Sequence, residues 1–301
     1  MTIPALLVCS TPGERLDSYL AQLRGDLSRS HIQRLIHQGH VLVNGQPARP
    51  STRLALGDQV QLHLPEAPSQ ELVPEALPLN IVYQDDQLVV VDKPAGLTVH
   101  PGPGHSRGTL VNALLWHYPE LKEVGDPMRP GLVHRLDADT SGLMVVARTP
   151  LAYESLSRQM RSRTVTKVYL TLVKGHPKPQ EGVIEAPIAR HPRDRQRMGV
   201  VAEGRQASTH YITVRLFKGF ALLEVRPHTG RTHQIRVHMA ALGHPVAGDA
   251  KYGGRVPFLK RQFLHAHRLG FDLPPSAKPV EFDSPMPPDL EAALATLKPS
   301  P

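Results

Sequence analysis

A chain of 301 residues with 35 Lys and Arg against 27 Asp and Glu carries a formal charge of +8. Its pI near 9.7 points to a polyanionic partner, nucleic acid first. The length suits one large domain with a small companion. No apolar run nears the roughly 20 residues that span a bilayer. The opening MTIPALLVCS lacks a basic leader, and a single Cys9 can build neither an internal disulfide nor a thiolate cage. A cytoplasmic protein without membrane partners is expected.

Leu16, Tyr19, Leu20 and Leu23 fall at helical spacing and predict a first helix between Glu14 and Leu23. Ser28 as N-cap, Ile32, Leu35 and Ile36 on one face and Gly39 as a stop predict a second. HVLVNGQPA reads as a strand with an Asn-Gly turn and LGDQVQLHL as an alternating strand, closing the unit near Pro65. Helix, helix, turn and small sheet, with His31 and several arginines near the helices, resemble the S4-type RNA-binding module over about residues 12–65. That resemblance implies RNA contacts through Arg15, Arg29 and Arg34. Read from the residues alone, a small α/β cap with solvated arginines is the alternative.

Residues 66–78, APSQELVPEALPL, are rich in Pro and Glu and read as a linker. Beyond it, IVYQDDQLVVVDKP predicts two short strands, GTLVNALLWHYPEL a helix with Leu110, Leu114 and Leu115 inward, and GLMVVAR a strand. PLAYESLSRQM predicts a helix with Thr149 as N-cap and Pro150 at N1, and KVYLTLVKG another strand. Thr232 is the expected cap of a later helix bearing Ile235, Met239 and Leu242 and ending at Gly243. Mixed strand and helix signals give an α+β domain over 79–290. From Leu273 onward the chain is Pro-rich and is expected to wrap the surface and fray, leaving a tail at 291–301.

The segment GLVHRLDADTSGLMVVA, 131–147, sets Asp137, Asp139, Thr140, Ser141 and Gly142 between two apolar runs. Such a loop can fix a reactive carboxylate at a sheet edge. It can equally satisfy turn amides through its side chains. His134-Arg135-Leu136-Asp137 followed by Asp139-Thr140-Ser141-Gly142-Leu143 resembles the signature of the RluA family of pseudouridine synthases. VVVDKPAGLTVHPGPGH at 89–105, KVYLTLVKG at 167–175 and HTGRTHQIRVHMAALGHPVAGDAKYG at 228–253 match the family in order. The resemblance covers about 79–272 and, with the N-terminal module, is nearest the subgroup acting on large-subunit (23S) ribosomal RNA.

The family implies a mixed, mainly antiparallel bent sheet with flanking helices, and isomerisation of uridine to pseudouridine without a metal or redox cofactor. Breaking the C1′–N1 bond and rejoining the base through C5 suits a carboxylate acting on the sugar. Such a carboxylate needs a cationic partner that favours its charged form. The resemblance assigns catalysis to Asp137, the ion-pair partner to Arg231 and an active-site tyrosine to Tyr169, leaving Asp139 as a turn residue. Arg135 is expected to fill the gap left by a flipped uridine. Lys93, Pro94 and Gly96 read as support near the site.

Of the 17 histidines, His228, His233 and His238 have a spacing that shares no helix face, and no metal motif accompanies them. His134 is expected to orient its loop. The expected partner is ribosomal RNA of the assembling large subunit, with a monomer as the working assumption. Three rivals remain: a synthase acting on tRNA, a metal-dependent RNA hydrolase that a chelator would silence, and a noncatalytic RNA-binding assembly factor in which Asp137 is dispensable.

Overall fold

The computed structural model describes residues 5–10, 12–64, 72–102 and 107–300, apart from the side chains of Ala5 and His31. The first part of the expected linker (66–71) and residues 103–105 of the first motif lie outside them. The chain divides into two compact units, 1–71 and 72–301.

In the first unit, β1 (Ala5–Val8), α1 (Leu16–Leu23), α2 (Arg29–His37), β2 (Val41–Val43), β3 (Gln46–Pro47) and β4 (Gln59–Leu62) follow one another. The strands form an antiparallel sheet in the order β1-β4-β2-β3. The periodic residues Leu16, Leu20, Ile32, Leu35 and Ile36 bury against Val41, Val60 and Leu62, each contributing about 2 kcal/mol. Asn44 and Gly45 both take positive φ, 51° and 75°, as a two-residue hairpin turn requires. β1 lies ahead of the expected boundary at residue 12, because four residues are too few to carry a readable alternation.

The second unit contains β5 (Ile81–Gln84), β6 (Leu88–Lys93), α3 (Leu110–His117), β7 (Gly125–Asp126), β8 (Arg129–Pro130), β9 (Ser141–Ala147) and α4 (Pro150–Ser162). It continues with β10 (Thr166–Lys174), β11 (Glu181–Glu185), β12 (Ile188–Arg190), β13 (Met198–Val200), β14 (Ser208–Phe217) and β15 (Phe220–Pro227). Last come α5 (Gln234–Ala241), β16 (Leu264–Leu273), β17 (Lys278–Asp283) and α6 (Pro288–Ala295). The main sheet runs β11-β14-β15-β10-β16-β9-β6-β5, with β17 also on β16. Every pairing is antiparallel except β9 with β16, so the sheet is mixed and mainly antiparallel.

Gly142 permits that one parallel contact. At φ 114° it faces Ala266, whose carbonyl oxygen would lie 2.3 Å from any added Cβ. The glycine after Thr140-Ser141 is therefore a requirement of the sheet, and it anchors the end of the loop that carries Asp137.

Two expectations fail here. Residues 72–78 are docked chain: Asn112 Nδ2 donates to Val73 O at 2.7 Å, Glu75 N–H donates to Asn112 O at 2.9 Å, and Leu72 packs on the core. The C-terminal stretch does not fray. β17 pairs along β16, Leu290 and Ala293 of α6 are buried in the main core with Leu294 and Leu297 against it, and Ser300 N–H donates to Leu216 O at 3.1 Å. Its prolines stand at the helix entrance, Pro287 and Pro288, where no helical amide is lost. The apolar stripe at i, i+3, i+4 and i+7 was the signal to follow.

Candidate active site

A cleft of about 560 Å³ opens at one end of the central strands. The loop before β9 supplies Arg135 and Asp137, the start of β10 supplies Lys167 and Tyr169, the end of α4 supplies Arg161 and Arg163, and the turn from β15 into α5 supplies Arg231, His233 and Arg236. A β-bulge between Val168 and Tyr169 breaks the register of β10 on β16, the kind of irregularity that re-aims a side chain beside a site.

Asp137 is paired with Arg236, whose Nη1 donates to Oδ2 at 2.8 Å. The same guanidinium grips the buried Asp249 through Nε to Oδ2 at 2.7 Å and Nη2 to Oδ1 at 3.1 Å. Asp249 is itself fixed by the backbone amides of Lys251 and Tyr252. Burial opposes the charge on Arg236, but the two carboxylates hold it firmly protonated, above its ordinary value. Asp137 Oδ1 has no hydrogen-bond partner among the described residues. His233 Nε2 lies 3.9 Å from it.

Arg231 is therefore not the ion-pair partner. Its Nε donates to Gln206 O at 3.2 Å, and burial, Arg205 and Arg163 pull its pKa down. It stands before the helix on the cleft wall, while Arg236 in the first turn of α5 faces inward. The helix is also not capped by Thr232: the N-cap is His233, in the left-handed region with φ 56° and no capping bond from its side chain. Gln234, the first residue of the helix, instead ties the preceding turn to β14. Its Oε1 accepts from Thr229 Oγ1 at 2.6 Å and Arg231 N at 3.0 Å, and its Nε2 donates to Ser208 O and Thr209 Oγ1.

Tyr169 is buried in the cleft wall, and burial followed by the Asp137 charge pushes its phenol well above the ordinary value. Arg135 is exposed at the rim, Nη1 3.4 Å from His100 Nε2. Beneath the loop, the buried ammonium of Lys93 donates to Ala138 O at 2.8 Å and to Pro94 O and Leu97 O at 2.9 Å. Gly96 N–H reaches the same Ala138 carbonyl at 2.9 Å. Burial brings Lys93 down to about 8 against the pull of Asp139 and Asp137. His134 Nε2 accepts the Val145 amide at 3.0 Å and is neutral, its pKa lowered to about 3 by burial and then by Lys167. Asp139 is exposed within the turn closed by Thr140 N–H to Asp137 O.

In the first unit Arg15 and Arg29 flank a fully buried Asp17 at 3.0 Å each, and Arg34 is exposed on α2. His238 is buried between Thr209 Oγ1 and Ala186 O. Among the described residues no group of His, Cys, Asp and Glu is arranged to hold a metal, and no helix is long and apolar enough to cross a membrane. Arg236, Asp249, His233 and Tyr252 all lie in the 228–253 motif, but their convergence on Asp137 is a tertiary fact that spacing does not express.

The RNA pseudouridylate synthase family matches residues 87–241, across the Asp137 loop, Tyr169 and Arg236. This chain belongs to that family. The synthase also carries an S4 domain, matched over residues 14–60. It is 44% identical over 286 residues to the Uncharacterized RNA pseudouridine synthase YlyB of Bacillus subtilis (strain 168), covering 95% of this chain and 94% of the relative. It is 44% identical over 308 residues to a Ribosomal large subunit pseudouridine synthase D of Xanthomonas campestris, covering 98% and 92%. Among solved structures, Human RNA Pseudouridylate Synthase Domain Containing 1 matches with a TM-score of 0.58 at 31% identity, over 78% of this chain and 91% of that one. The synthase is an RNA-modifying isomerase with an RNA-binding S4 unit.

Proposed function

We propose that this synthase isomerises uridines in folded large-subunit ribosomal RNA in the cytoplasm, with Asp137 as the catalytic carboxylate. The observation that carries the reading is the Asp137–Arg236 pair. One carboxylate oxygen is tied down by a guanidinium that is itself clamped on Asp249, and the other is left open to the cleft. A carboxylate held in this way stays charged and oriented, ready to act at the ribose while the C1′–N1 bond breaks and C5 takes the place of N1. Tyr169, held as a neutral phenol, offers a face for the base to stack on.

Arg161, Arg163 and Arg231 line the same cleft, and none of them, nor Arg205 close by, pairs with a carboxylate among the described residues. A rim of like charges without counter-ions suits RNA phosphates. Arg135, exposed at the cleft rim, is the residue proposed to enter the stack as the uridine leaves it. Arg15, Arg29 and Arg34 are the proposed RNA contacts of the S4 unit. The ribosomal target rests on the relatives named for the large ribosomal subunit. The test is pseudouridine mapping in cells with and without the protein. Loss of specific large-subunit sites supports it, and loss confined to tRNA overturns the ribosomal part.

A further inference from the structure

One oxygen of Asp137 is accounted for by Arg236. The other faces His233, and His233 is unusual in three respects. It takes a left-handed backbone conformation with φ 56° and ψ 21° at a helix N-cap, where the backbone is ordinarily extended. Its side chain makes no capping bond, so the strain is not repaid by the helix end. Its ring is instead aimed back into the site: Nε2 lies 3.9 Å from Asp137 Oδ1, and Nδ1 lies 2.8 Å from the Tyr252 hydroxyl.

Tyr252 bears on which ring nitrogen carries hydrogen. Its hydroxyl oxygen accepts the Met198 amide at 3.0 Å, and the partner within reach of its own hydrogen is His233 Nδ1. A Tyr252 hydroxyl that donates to Nδ1 leaves the imidazole hydrogen on Nε2, facing Asp137. The tyrosine is held from several sides: its ring stacks edge-on with His233 at 5.7 Å, and the guanidinium carbons of Arg197 and Arg236 each stand 5.1 Å from its centroid. Burial, Arg236 and Lys251 keep His233 neutral against the pull of Asp137 and Asp249, so it meets the carboxylate as a donor without adding a cation.

We propose that His233, with its tautomer fixed by Tyr252, is a positioning residue that donates to Asp137 Oδ1 once uridine enters and aims that oxygen at the ribose. The present 3.9 Å exceeds a hydrogen bond, and catalytic hydrogen bonds commonly tighten only in the substrate complex. Side-chain rotation of Asp137 about its Arg236 anchor closes the gap. The inference rests on Asp137 being the catalytic carboxylate.

The test compares His233→Leu, His233→Gln, Tyr252→Phe and Asp137→Asn in the full chain, using bulk RNA from cells lacking the protein as substrate. His233→Leu fills the space without a donor and is expected to slow single-turnover pseudouridine formation about 100-fold, the cost of a misaimed group. RNA affinity should stay within about twofold of wild type, the signature of an interaction made during the reaction and not in binding. His233→Gln, which restores an N–H, should recover to within about 10-fold of wild type, and packing alone predicts no such rescue. Nitrogen-15 spectra of the histidine-labelled wild type should report hydrogen on Nε2 of His233, and Tyr252→Phe should mix the tautomers. Wild-type rates in a folded His233→Leu protein, or hydrogen on Nδ1 in the wild type, would overturn the proposal. An active Asp137→Asn protein would instead remove the reading on which it rests.

Discussion

Arg236 Nη1 lies 2.8 Å from Asp137 Oδ2 across 99 positions of sequence, and its other two nitrogens are spent on Asp249. The carboxylate is oriented by a cation that is itself locked in a second ion pair. This arrangement costs desolvation and returns geometry.

The two arginines of the GRTHQIR segment should therefore separate kinetically. Arg236→Met removes the partner of Asp137 and leaves Asp249 buried and unpaired, so turnover should fall by at least about 100-fold and stability by roughly 3 kcal/mol. Arg231→Met should leave single-turnover chemistry nearly intact, weaken RNA binding and lower the salt slope by about one phosphate contact. Rates and binding isotherms against salt measure both effects. The reverse pattern would return Arg231 to the role the family resemblance implies.

Lys93 tests how far the Asp137 loop depends on its floor. Lys93→Met strands the Pro94 and Leu97 carbonyls and leaves Ala138 with the Gly96 amide alone. A loss of about 2 kcal/mol is expected in denaturant unfolding, with slower turnover because the loop bearing Asp137 is no longer pinned. Unchanged stability would show that the ammonium is dispensable.

How much of this was legible depended on whether the signal was local. Helix α1 announced itself through a 3.6-residue period, α2 and α4 through that period and an N-cap residue, and the Asn44-Gly45 turn through its dipeptide. β1 is too short to alternate, and the prolines around α6 hid an apolar stripe that was present at Leu290, Ala293, Leu294 and Leu297. In the site, the Asp137 loop could be singled out because polar residues there interrupt apolar runs. The family resemblance assigns the ion pair to Arg231 and it falls on Arg236, because the partner depends on which side of α5 meets a loop far away in the chain.

The S4 unit should respond to acid through Asp17. Its carboxylate accepts from Arg15, Arg29 and Gln33, and these bonds, Arg15 first, hold its pKa below the ordinary value. A depressed folded-state pKa gives stability that is present above the unfolded value near ~4 and lost as pH falls through the folded value. Hydrogen exchange of α1 and α2 in the full chain should accelerate below that pH, and Asp17→Asn should exchange faster at neutral pH while losing much of the acid dependence. Equal exchange in both proteins at every pH would contradict this.

A shortened protein beginning at Leu72, the start of the second unit, should fold and modify short RNA at high concentration. It should bind natural RNA more weakly and with a shallower salt dependence, because the S4 phosphate contacts are gone. Site selectivity matching the full chain would reduce the S4 unit to a structural cap.

The most direct measurement of the central claim is pseudouridine formation by Asp137→Asn and Asp137→Ala beside the wild type and Asp139→Asn, on RNA from cells lacking the protein. Both Asp137 variants should remain folded and RNA-binding yet form no detectable pseudouridine, while Asp139→Asn keeps substantial activity. Pseudouridine formed at the wild-type rate by a folded Asp137→Ala protein would contradict the account at its base.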